Sequence, residues 1–153
     1  MMPEAPEICS CSALRQAARY VTKLYDAELA PVGLGVNQYS ILAKLDRFGP
    51  QSIQDLAALQ VMDRSTLGHL LRPLERRKLV ALIVDEHDRR SRRVDLTRTG
   101  KALVRKARPL WAAAEQRFVS TFGENAAQSL RVTLRQVTTT GFPAVLPPSS
   151  RTK

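Results

Sequence analysis

Between residues 64 and 108 the chain carries 14 lysines and arginines against 5 carboxylates, a net +9 out of +10 for the whole molecule. Residues 1–63 carry a net −2 and residues 109–153 a net +3. A guanidinium presents a planar fork of donors that matches phosphate oxygens and the O6/N7 edge of guanine, so this concentration implies a polyanionic partner with a phosphate backbone. A solvated, soluble surface carries such charge equally well, and net charge informs partners rather than fold. The same segment holds no Phe, Tyr or Trp on which a splayed base can stack, which favours a duplex over a single strand.

Enzyme chemistry finds little to work with. The chain has no glycine-rich phosphate loop and no nucleophile with an evident base, and the only soft ligands are His69, His87, Cys9 and Cys11. No catalytic residue, metal or cofactor is therefore expected. Two cysteines are too few for a disulfide framework, and no apolar run approaches the roughly 18 residues of a membrane span. With no basic and apolar leader at Met1-Met2-Pro3-Glu4, the expectation is a cytoplasmic protein with no membrane partner.

The elements that position the arginines follow from periodicity. Leu14, Ala17, Ala18, Val21, Leu24, Tyr25 and Leu29 recur at helical steps, and Pro31 and Gly33 end that helix. A second helix, with Asn37 as its expected cap, buries Ile41, Leu42 and Leu45 and closes at Gly49-Pro50. Ser52 and Asp55 resemble a capping box for a short third helix, and Asp63 can cap a fourth that buries Leu67, Leu70, Leu71 and Leu74. Two short helices joined by Gln60-Val61-Met62 make a helix-turn-helix. Val80–Val84 and Arg93–Leu96 read as a two-stranded hairpin with a polar tip, and Thr97 can cap a long helix that Gly123 separates from a last one.

The expected fold class is mainly α with a small β-hairpin wing. Residues 1–11 are read as an N-terminal arm, 37–96 as a winged helix-turn-helix lobe, 12–36 with 97–141 as a helical dimerisation region, and 142–153 as a disordered Pro/Ser tail. The aromatic residues Tyr20, Tyr25, Trp111, Phe118 and Phe122 exceed what so small a core covers, so the terminal helices should pair with a second copy. Leu14, Val21, Tyr25, Trp111, Phe118, Leu130 and Leu134 are the candidate dimer residues.

Two stretches carry a resemblance: Asp63-Arg64-Ser65-Thr66-Leu67 through Leu74-Glu75-Arg76-Arg77-Lys78-Leu79-Val80, and Asp88-Arg89-Arg90-Ser91-Arg92-Arg93-Val94-Asp95-Leu96-Thr97-Arg98-Thr99-Gly100. In that order the chain resembles the MarR family of bacterial winged-helix transcriptional regulators, from about Leu14 to Thr140. The resemblance implies a homodimer on a palindromic double-stranded DNA operator, acting as a repressor. Its recognition helix would enter the major groove with Arg64, Ser65, Thr66, His69 and Arg72, and Ser52 joins that set. The family pattern assigns Arg90 to the minor groove, with Asp88 bracing its guanidinium through a bidentate ion pair and Arg89, Arg92 and Arg93 on the backbone. A small lipophilic or phenolic effector is also implied, as is redox sensing at Cys9 and Cys11, which read equally as inert thiols. The competing reading is a nucleic-acid-binding or adaptor protein without sequence preference.

Three residues fit less easily. Pro73 and Pro109 fall inside predicted helices, and Lys78 stands where the family commonly has a glycine in a left-handed cap.

Overall fold

The structure, a computed structural model, describes residues 9–142. Helix α1 spans Ser10–Leu29. It begins earlier than expected, so that Cys9 is its N-cap and Cys11 lies in its first turn. The rest of the proposed arm and the Pro/Ser tail beyond Phe142 lie outside the described residues. A 3-10 turn at Ala30–Val32 and Gly33, left-handed at φ 66°, lead into α2, Val36–Phe48. Asn37 does not cap α2, because the N-cap is Gly35. The Val36 amide donates instead to Asp26 Oδ1 on α1 at 2.7 Å, and the Gly35 amide donates to Gln38 Oε1 at 3.2 Å. A carboxylate ten residues away does the work expected of a local side chain.

Strand β1, Gln51–Ser52, precedes α3, Ile53–Gln60, and α4, Arg64–Arg76. Strands β2, Val80–Val84, and β3, Arg92–Leu96, form the wing. The sheet has three strands, not the two expected, in the order β1-β3-β2 with antiparallel pairs. A two-residue strand after Gly49-Pro50 is too short to leave an alternating pattern in the sequence. Helices α5, Arg98–Phe122, and α6, Glu124–Thr139, complete the chain.

Contacts divide the chain after Glu115, inside α5 and not at the wing exit. The first unit holds the lobe, whose core is built from Leu29, Ile41, Leu42, Leu45, Leu56, Leu67, Leu74, Val94 and Val104, each less than 3% exposed. In it, Arg108 Nη2 meets Asp46 Oδ2 at 2.7 Å, and Trp111 stacks on Tyr39 with centroids 6.1 Å apart. Burial raises the Tyr39 phenol above its usual range, and the Arg108 charge opposes that. In the second unit Ala127 is buried and Phe118 stacks on Phe122 at 5.4 Å.

The joint between wing and α5 shows why Leu96-Thr97 must be followed by a glycine at residue 100. The Thr97 hydroxyl donates to the Lys78 carbonyl at 2.6 Å and accepts from the Gly100 amide at 3.0 Å, while the Thr97 amide donates to the Leu79 carbonyl at 3.0 Å. This draws the first turn of α5 against the β2 entry so closely that a Cβ on Gly100 would stand 2.0 Å from the Leu79 oxygen. Both α4 and α5 run on through their prolines, Pro73 and Pro109. Lys78 adopts φ 57°, the left-handed conformation its position requires.

Candidate nucleic-acid interface

The face that can meet a duplex is assembled from α3, α4 and the wing. Ser52 caps α3: its hydroxyl accepts from the Asp55 amide at 3.0 Å and donates to Asp55 Oδ2 at 2.7 Å. The turn from α3 into α4 passes through Val61 in the left-handed region, φ 52°, closed by Val61 N–H to Ala58 and Met62 N–H to Ala57, each 3.0 Å. A β-branched side chain there is strained, and Val61 is 68% exposed.

Asp63 then fixes the start of α4. Its Oδ1 accepts from the Thr66 amide at 2.7 Å and its Oδ2 from the Thr66 hydroxyl at 2.8 Å. The amide bond first, then the hydroxyl, hold the Asp63 carboxyl below the usual carboxylate range. Leu67, Leu71 and Leu74 bury one face of α4, with Leu70 partly buried beside them. Arg64, Ser65, Thr66, His69 and Arg72 stand exposed on the other. The Thr66 proton is already given to Asp63, which leaves its oxygen as an acceptor only. At the far end, Arg77 reaches back to the α1–α2 connector, Nη1 donating to the Gly33 carbonyl at 2.6 Å. Sequence reasoning missed this brace because nothing local marks a contact 44 residues away.

In the wing, Val80 pairs with Leu96 and Val84 with Arg92, leaving residues 85–91 as the tip. Two carboxylates shape the tip by accepting backbone amides: Asp85 from His87 at 2.9 Å and Asp88 from Arg90 at 3.0 Å. The His87 amide is the main reason the Asp85 carboxyl lies below its usual range, with the Arg93 charge adding to it. Asp88 therefore does not brace the Arg90 guanidinium: among the described residues no ion pair joins them, and the spacing of two builds a turn on the Arg90 amide instead. Arg89, Arg90 and Arg92 are exposed, and Arg92 Nη1 lies 3.4 Å from the Arg89 carbonyl.

Arg93 departs from the expected set. It points inward, Nη2 donating to the Pro50 carbonyl at 2.6 Å and Nη1 lying 3.9 Å from Asp85 Oδ2. Its Nε is buried without a partner. Arg93 thus ties the wing to the end of α2, and the phosphate contact expected of it would break that tie. Alternation along β3 sets Arg93 on the face opposite the buried Val94 and Leu96, so the strand pattern gave no signal for a contact with Pro50, 43 residues away.

The other candidates lie apart. Cys9 and Cys11 are exposed free thiols, and no group of three or more His, Cys, Asp or Glu among the described residues is placed to hold a metal ion. His69 is on α4 and His87 at the wing tip, both exposed. On α1, Leu14 is 40% exposed, Val21 and Tyr25 are half-buried, and the Tyr25 hydroxyl donates to Glu115 Oε2. Trp111 and Leu134 are each 37% exposed, and Phe118 and Leu130 half-buried. No helix among the described residues is long and apolar enough to cross a membrane.

Comparison with known proteins gives a consistent result. A MarR family model matches residues 34–91, the stretch from the connector before α2 to the wing tip. The transcriptional activatory protein BadR of Rhodopseudomonas palustris is 34% identical over 91 residues, 58% of this chain and 52% of that protein. The chain spans about half the length of the curated relatives it matches. Among solved structures, the transcriptional regulator MosR of M. tuberculosis in complex with DNA is 31% identical, covering 85% of this chain and 96% of that one at a TM-score of 0.73. The transcriptional repressor CouR bound to a 23-mer DNA duplex is 27% identical, covering 85% and 92% at a TM-score of 0.77. CouR from Rhodococcus jostii has also been solved bound to p-coumaroyl-CoA. On the matched family model and on folds shared across nearly the whole length of these regulators, the chain belongs to the MarR family.

Proposed function

We propose that the chain is a homodimeric, sequence-specific DNA-binding transcriptional regulator of repressor type, acting in the cytoplasm. The observation that carries this reading is one exposed face of α4, Arg64, Ser65, His69 and Arg72, started by the Asp63 cap, in one lobe with a wing whose tip exposes Arg89, Arg90 and Arg92. Helix α4 enters the major groove, where Arg64 and Arg72 read guanine edges and Ser65 contacts phosphate. The wing tip follows the adjacent minor groove, with Arg90 foremost. Ser52 and Asp88 serve this interface by shaping it: their polar atoms cap α3 and fold the tip.

Dimerisation rests on α1. Of its 20 residues Leu29 is the one that is fully buried, while Leu14 and Tyr20 are 40% and 80% exposed. An amphipathic helix this long with so little covered apolar surface calls for a partner, and a second copy supplies it through α1, α5 and α6. Two-fold pairing places two α4 helices about one DNA turn, roughly 34 Å, apart and makes the operator an inverted repeat. A small lipophilic or phenolic effector releases the dimer from DNA, in keeping with the aromatic thioester that CouR binds. Oxidation of the exposed Cys9 and Cys11 is a separate route to release, and a Cys9→Ser, Cys11→Ser double variant that keeps peroxide sensitivity would eliminate it.

The test is titration of a fluorescent duplex across about 50–300 mM salt, with sedimentation of the protein at micromolar concentration. Five exposed arginines, Arg64, Arg72, Arg89, Arg90 and Arg92, in each of two subunits set a limiting slope of about −9 in log K against log salt. A steep slope within that limit, together with a dimer, supports the reading. A monomer, or an affinity equal for operator and random duplex, returns the protein to a nucleic-acid-binding or adaptor role without sequence preference.

A further inference from the structure

Gly68 lies half-buried at the edge of the exposed face of α4, four residues after Arg64 and four before Arg72. Side chains at that spacing line up along a helix, so the three positions form one row with Ser65 and His69 beside it. Glycine is the poorest helix former after proline, yet the fold does not ask for it here. Its φ is not in the left-handed region, and a Cβ added to it would meet no atom within 4 Å. Gly100 is the contrast within the same chain, since its Cβ would collide with the Leu79 carbonyl. The fold explains Gly100 and leaves Gly68 to a partner.

We propose that Gly68 is a specificity-determining hollow in the recognition face, which lets α4 settle onto the major-groove floor with the C5-methyl of a thymine between Arg64 and Arg72. This rests on the duplex-binding reading above and adds to it the base that the centre of the helix selects. The chemistry narrows the occupant. The Gly68 amide and carbonyl are committed to the helix, so the hollow offers apolar Cα hydrogens and no free donor or acceptor. A polar base edge placed there would go unpaired, whereas the thymine methyl is the one apolar group on the groove floor. An alanine Cβ would occupy the volume that the methyl takes.

The probe is the duplex that the wild-type dimer recovers from a random library, with each thymine exchanged in turn for deoxyuridine to remove only the methyl. One thymine in each half-site should weaken wild-type binding about fourfold when demethylated. Gly68→Ala should bind the recovered duplex at least about tenfold more weakly, be indifferent to that demethylation, and melt about 3 °C higher because its helix is better formed. The proposal is overturned if Gly68→Ala binds within twofold of wild type, or if no single demethylation matters. It is also overturned if Gly68→Ala loses affinity equally on recovered and random duplexes, which would set the glycine against the sugar-phosphate backbone. Failure of the wild type to recover any sequence is a different result: it removes the duplex reading itself, and the hollow with it.

Discussion

Replacing Gly100 by alanine should destabilise the fold by about 2–4 kcal/mol. A Cβ at residue 100 would lie 2.0 Å from the Leu79 oxygen, 3.0 Å from its carbonyl carbon and 3.2 Å from Leu96 Cδ2. Relief requires α5 and the β2 entry to separate by about 1 Å, since such contacts fall essentially never under 3.0 Å. That movement stretches both bonds that fasten the joint, Thr97 hydroxyl to Lys78 carbonyl at 2.6 Å and Thr97 amide to Leu79 carbonyl at 3.0 Å. Each lost bond is worth about 1 kcal/mol, and residual overpacking adds about 1–3 kcal/mol. Alanine returns about 1 kcal/mol of helix propensity. The assay is urea unfolding at fixed protein concentration, followed by far-ultraviolet circular dichroism and Trp111 emission. Gly68→Ala is the matched control, because the same substitution in open space should shift the midpoint the opposite way. A Gly100→Ala loss below about 1 kcal/mol would refute the close-approach argument.

Lys78 at φ 57° is a left-handed lysine at the exit of α4, and Lys78→Gly should stabilise the protein by about 1 kcal/mol in thermal melts; no gain, or a loss, would show that the lysine side chain contributes something else. Arg90→Ala should lower the salt slope of duplex binding by about 1 per subunit with little change in stability, whereas Arg93→Ala, losing the Pro50 anchor, should lower the melting temperature and leave the slope nearly unchanged; the reverse pattern would reassign the two arginines. Because the folded Asp63 and Asp85 carboxyls are held below their usual range, the stability they lend is present above the unfolded value of about 3.9 and fades as pH falls from there through the folded values. Asp63→Asn keeps a capping oxygen without the charge, so its melting temperature between pH 6 and 3 should fall less than that of wild type, and parallel curves would contradict this.

The parts legible in the sequence were those set by neighbours along the chain. The Ser52, Asp63 and Thr97 caps each act on an amide three residues ahead, and all three were readable from residue type and spacing. The left-handed conformation of Lys78 was expected from the family resemblance, which commonly has a glycine at that position, and not from spacing. What escaped depends on contacts that spacing does not encode. Asp26 displaced Asn37 as the partner of the α2 terminus from ten residues away, and Arg77 found the Gly33 carbonyl across 44. The sheet gained β1 because β3 had an open edge for two more residues to pair with. At the wing the partners differ from those expected: Asp88 holds the Arg90 amide, and Arg93 holds Pro50. A motif names the side chains, but which atom each one satisfies follows from the folded backbone around it.

Operator recognition as proposed requires two copies of the lobe on neighbouring turns of one double helix. Sequencing the duplexes that the purified protein retains from a random library at about 150 mM salt tests this directly. An inverted repeat with half-site centres about 10 base pairs apart is the predicted result, and either no enriched sequence or a lone unrepeated half-site contradicts it.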